Sequence, residues 1–200
     1  MPGPRMAAGL AGIDAAGTSS FDLLEVISGW QRVISWAQAK QAEIVAEFAR
    51  RRPGPYAPDV PGRTVSEFAA DEIAARLAIT RRAAELLLSL GLELIDRLPA
   101  TAESLLGGRI DLPKAKAIIE HVTHLDDAAA RRSVEVRVLA RAGSQTTPQL
   151  GRSLARAVLA VDPQAVLRRR AVAAAGRFVR VDPCPDGMAE IHPVLPRRTR

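Results

Sequence analysis

Apolar residues recur at Leu23, Ile27, Trp30, Ile34, Ala37, Ile44 and Phe48, at separations of three, four or their multiples. That spacing predicts an amphipathic helix from about Phe21 to Arg50, roughly 45 Å long at 1.5 Å per residue. A helix of this length either wraps its own domain or packs on a partner, so Phe21–Arg50 is a candidate homodimerisation arm. The preceding residues 1–20 are rich in Gly, Ala and Ser and carry no apolar period; they are expected to be disordered. Residues 53–63 hold four prolines between Pro53 and Gly62. They predict a linker, because each proline removes a backbone donor and fixes φ.

Beyond the linker, helix starts are written in capping residues. Thr64-Val65-Ser66-Glu67 reads as a capping box, and a bend is expected from Leu77 to Ile79. Thr80 caps the next helix to about Leu94. Pro99 starts a short helix ending at Gly107-Gly108, and Asp111 with Pro113 starts another through Val122. Asp126 opens a helix closing at Gly143; Thr147-Pro148 and Asp162-Pro163 open two more. The pattern then changes. Arg177 to Val181 and Met188 to His192 alternate polar and apolar around Pro185-Asp186-Gly187, which predicts a β-hairpin. The expected organisation is a mainly α, multi-helix bundle with a C-terminal β-hairpin: a helix at 21–52, a linker at 53–63, a helical domain at 64–196 and a basic tail at 197–200.

The net charge of +6 is unevenly distributed: residues 1–100 carry −1 and residues 101–200 carry +7. Of 28 basic residues only three are lysine. A basic second half attracts phosphates. A single cysteine, Cys184, excludes a disulfide framework and a Cys-rich zinc site and fits a cytoplasmic location. No signal peptide and no membrane span is visible. No cofactor is indicated.

Asp71 to Leu87 has the make-up of a helix-turn-helix: small Ala74, anchors Ile73, Leu77 and Ile79, then Thr80, Arg81 and Arg82 at a helix start where side chains reach base edges. Against it stand Ala78 where the turn favours glycine and a net charge of −2 over residues 66–98. Two ordinary packed helices are the competing reading. A second candidate is the helix start after Gly108, with Arg109, Lys114 and Lys116 as a phosphate clamp. A third is Arg152 with Arg156, four apart on one face. Solvated helix faces compete with both. Further clusters lie at Arg50-Arg51-Arg52, Arg131-Arg132 and Arg168-Arg169-Arg170. Aromatics do not interleave with them, which disfavours a single-strand stacking platform.

No catalytic or metal site is expected. His121 and His124 share a helical face, but a helix C-terminus also favours histidine through its dipole. Cys184 lacks an activating partner nearby in sequence.

Trp30 in the first helix, Ala69 to Leu94, Leu98-Pro99-Ala100-Thr101, Leu106-Gly107-Gly108-Arg109-Ile110, Ala115 to Glu120 and Val181 to Ala189 together carry a resemblance. Over roughly residues 21–196 the chain resembles the actinobacterial domain of unknown function 222 family, also called the 13E12 repeat family. The resemblance implies a DNA-handling protein that often carries an HNH nuclease domain after this region. The HNH motif needs asparagine, and the chain has none, so the nuclease activity is not expected here. The resulting expectation is a non-catalytic module binding or targeting double-stranded DNA. The rival is a helical interaction or dimerisation module without DNA contact.

Overall fold

The computed structural model describes residues 1–54, 65–164, 176, 178–184, 186 and 188–194. The expected linker residues 55–63, Thr64, the helix after Asp162-Pro163, Arg168 to Arg170 and the 197–200 tail lie outside these. The described residues are mainly helical, with one two-stranded antiparallel hairpin, as the pattern predicts. The helices are α1 Pro4–Ala11, α2 Ser20–Arg50, α3 Ala69–Leu77, α4 Arg81–Leu92, α5 Pro99–Leu106, α6 Leu112–Val122, α7 Ala128–Ala142 and α8 Thr147–Val161. None is long and apolar enough to cross a membrane.

Local chemistry sets most boundaries. Ser19 caps α2 by accepting from the Asp22 amide, and Thr80 caps α4 through Ala83 N at 3.2 Å. Asp111 caps α6 through Lys114 N at 2.9 Å. Asp127, one residue after the expected Asp126, caps α7. On α8 the Thr146 amide donates to the Gln149 side chain at 2.8 Å. The helix expected to reach Leu94 instead widens after Leu92 into a π-helical turn, Glu93–Arg97.

Residues 1–20, expected to be disordered, contain α1. Pro4 preorganises its first turn. Its Leu10 and Met6 side chains lie over Gly29 of α2, whose missing Cβ would sit 3.0 Å from Leu10. Tertiary contact with α2 thus orders a segment too short to be helical alone.

The larger surprise is the rotation of α2. Its buried face is Gly29, Val33, Ser35, Ala39, Ala42, Val45, Ala46 and Ala49, whereas Ile27, Ile34 and Ile44 of the predicted core stripe are 64%, 47% and 68% exposed. The small face is selected by how closely α4 approaches. A Cβ on Gly91 would lie 3.0 Å from the Ala42 carbonyl oxygen and 3.1 Å from Val45 Cγ1, so only small residues fit between the helices. Gly91→Val should force α2 and α4 apart and cost roughly 2–3 kcal/mol. Thermal unfolding followed by circular dichroism should show a midpoint lower by about 5–10 °C; an unchanged midpoint would rule out this crossing.

The main core joins Ala39 and Ala42 of α2 to Leu94, Leu98, Leu105, Ile118, Val134, Val138, Leu150 and Leu154. Each such fully buried aliphatic side chain contributes about 1.5–3 kcal/mol over an exposed one. A smaller cluster, Val45, Ala49, Ala69, Ala70, Ala84 and Leu88, lies beneath α3 and α4. Gly108, in the left-handed region at φ 65, brings the α5–α6 turn against Arg32, where a Cβ would lie 2.8 Å from Arg32 Cβ.

β1 (Phe178–Pro183) pairs with β2 (Ala189–Val194) in the register Phe178 to Val194 through Pro183 to Ala189. Cys184 N donates to the Met188 carbonyl at 2.8 Å to close the turn.

Candidate nucleic-acid interface

The α3–α4 pair has the helix-turn-helix form. Ala78 takes the left-handed conformation, φ 53 and ψ 43, and Ile79 N donates to Ala74 O. The residues placed to read bases are occupied, however. The Arg81 guanidinium donates to Asp71 at 2.9 Å, Glu85 at 3.3 Å and the Glu67 carbonyl at 3.3 Å. Arg82 lies 3.5 Å from Glu85, and the Thr80 hydroxyl is the α4 cap. Carboxylates beside both arginines repel a phosphate backbone.

The α6 start is also spoken for. The Asp111 carboxylate sits at the helix N-terminus that a phosphate would need. Arg109 faces Glu103 at 3.6 Å. Lys114 Nζ donates to the Gly143 carbonyl at 3.4 Å, tying α6 to the end of α7. Lys116 is exposed and forms no ion pair among the described residues.

Arg50, Arg51 and Arg52 form a clamp. Arg50 bonds Asp96 at 2.7 Å; Arg52 bonds both Glu72 oxygens at 2.8 and 2.9 Å and lies 4.8 Å over the Phe48 ring. Hydrogen bonds from Arg51 and then Arg50 hold the Glu47 carboxyl below its ordinary pKa, and Arg52 does the same for Glu72. These pairs stabilise the fold above the unfolded carboxylate pKa, and that stabilisation is lost as pH falls through the lowered folded values. Arg131 donates to the carbonyls of Leu125 and Asp126, fastening the α6–α7 turn.

Arg152 and Arg156 are different. The antiparallel packing of α7 on α8 places them opposite Arg137 and Arg141. The four arginines line two contiguous depressions of about 340 and 460 Å³, with Ser144, Gln145, Gln149 and Ser153. Among the described residues no carboxylate lines either depression, and none of the four arginines has an ion pair. Four unscreened guanidiniums repel one another until an anion enters between them. The Ser153 hydroxyl accepts from Gln145 Nε2 at 3.1 Å and from Arg156 at 3.4 Å. No aromatic lines the cleft among the described residues, which suits phosphates rather than stacked bases.

Arg137 and Arg141 were not singled out in the sequence. Their four-residue spacing repeats that of Arg152 and Arg156, but nothing local says that the two pairs face one another.

His121 Nδ1 lies 2.8 Å from the Ala117 carbonyl of its own helix. Among the described residues no three His, Cys, Asp or Glu side chains are grouped to hold a metal.

Fold and cleft together define a mainly helical module with a small hairpin and an arginine cleft that no carboxylate lines among the described residues. Residues 32–200 match the family described as "Domain of unknown function (DUF222)". The chain belongs to that family; residues 1–31, with α1 and the start of α2, lie outside the match. No curated protein and no solved structure matches the chain.

Proposed function

We propose that this chain is a non-catalytic DNA-binding or targeting module of an HNH-nuclease-associated protein of mobile-element type, working in the cytoplasm. It grips the phosphate backbone of double-stranded DNA in the α7–α8 cleft. The observation carrying this reading is the set of four arginines, Arg137, Arg141, Arg152 and Arg156, lining one cleft with no acidic neighbour among the described residues. Guanidinium forks match phosphate oxygens in pairs and stay charged at every working pH. Phosphate contacts position a protein on the duplex without reading sequence, so the expected binding is weakly selective. The α3–α4 pair is a packing element in this reading.

Fluorescence anisotropy of a labelled duplex, titrated at several salt concentrations, tests it. Four phosphate contacts predict a log–log slope of about −3.6, at about 0.9 per contact. Failure to bind even at low salt would overturn the reading. Replacing Arg81 and Arg82 together with alanine is expected to change affinity by less than about threefold, since neither faces the cleft. A loss as large as that from the cleft arginines would return the interface to α4.

A further inference from the structure

We propose that two copies of this chain associate antiparallel through α2, the N-terminal arm of each seated in an apolar groove of the other. The outward face of α2 presents Leu23, Ile27, Trp30, Ile34, Ala37, Gln41, Ile44 and Phe48. Their separations alternate four and three, a strict seven-residue repeat with one polar position. Such a repeat keeps a seam turned toward a partner helix. Apart from Phe48, which packs partly against the smaller core cluster, it is not the face α2 uses inside its own domain, which is the small-residue stripe.

The groove lies beside the C-terminal half of that seam. It measures about 710 Å³ and is lined by Ile44, Val45, Phe48, Ile73, Leu77 and Leu87. An open apolar feature of this kind marks an interaction site. The arm is its counterpart. Leu24 is 64% exposed, lies three heptads before Val45 and flanks the seam on the side that, further along α2, faces the groove through Val45.

Registering Phe21 of one helix on Arg50 of the other sets Leu23 opposite Phe48 of the second copy, Ile27 opposite Ile44, Trp30 opposite Gln41 and Ile34 opposite Ala37. Large residues meet small ones in the last two layers. Leu24 then reaches toward Ile73 and Leu77 of the second copy. Charge agrees with this direction. The arm carries Asp22 and Glu25 and no cation before Arg32. The groove carries Arg76, which has no ion pair among the described residues, and Lys40, which pairs with Glu43 at 2.8 Å, while the acidic Glu72 is held by Arg52. A parallel pairing would set acidic arm on acidic arm and Trp30 on Trp30, leaving both grooves empty. The association is independent of DNA, being formed by residues remote in sequence from the arginine cleft.

Sedimentation velocity across the micromolar range should show a mass approaching twice 21.4 kDa. Ile34→Glu and Ile44→Glu should each weaken self-association more than tenfold, with helicity and melting unchanged because both side chains are exposed. Direction is read by disulfide trapping in a Cys184→Ser background. Leu23→Cys and Phe48→Cys proteins should cross-link when mixed, and neither alone. A monomer at every concentration, a dimer indifferent to both glutamates, or Leu23→Cys cross-linking to itself would each overturn the proposal; the first would leave the groove to a different protein.

Discussion

Reversing the charge of Arg141 and Arg156 together, both to glutamate, is expected to lower affinity for duplex DNA about a hundredfold at low salt. Two guanidiniums would then face two carboxylates across the cleft, and the net attraction for phosphate would vanish. With four contacts the affinity of the native chain falls roughly 150-fold between 50 and 200 mM salt, whereas the variant's affinity should be nearly flat over that range. The two curves should therefore converge as salt rises. Arg132→Glu supplies the control. It alters charge on α7 outside the cleft lining, and its effect should stay within about threefold, the size of a distant screened charge. If both changes weaken binding equally, net charge and not the cleft governs the interaction. Anisotropy titrations on the three proteins decide between these outcomes.

Glu135→Ala is expected to produce the largest loss of stability, about 3–5 kcal/mol, a cost typical of removing a buried, hydrogen-bonded charge. Glu135 is 2% exposed. Its Oε1 accepts from the Thr101 amide at 2.9 Å and the Thr101 hydroxyl at 2.7 Å. Leu98, at the head of α5, has no side chain able to cap it. The carboxylate thus caps α5 from another helix, and its negative charge suits a helix N-terminus. Alanine would strand two buried donors and open a cavity. The thermal midpoint should fall by about 10 °C or more. Glu135→Gln keeps the acceptor and should lose less than half as much. Thr101→Val removes only the hydroxyl donor, at about 1 kcal/mol, and the double variant should be non-additive with Glu135→Ala because the partners are shared. Additive losses would mean that the two residues act separately.

The helical starts at Thr80, Pro99, Asp111 and Pro148 were legible because capping depends on groups within three residues of one another. The turn at Ala78 was legible for the same reason, even though alanine there carries a steric cost. The arginine cleft was half legible. Arg152 and Arg156 were visible as a pair on one face, but their partners on α7 were not. The base-reading candidates Arg81 and Arg82 looked free because Asp71, ten residues from Arg81, meets it only once the turn has folded.

By itself the sequence determined that this protein is a helical chain with a terminal hairpin, where most of its helices begin, and which family it resembles. These follow from caps, prolines and periodicity, all short-range. Only the tertiary structure decided which face of α2 is buried, which carboxylate caps α5 and which arginines share a cleft. Those outcomes rest on contacts between residues far apart in the chain. The Gly91 crossing admits alanines and turns the larger side chains of α2 outward, and helical spacing alone cannot choose between two apolar faces of one helix.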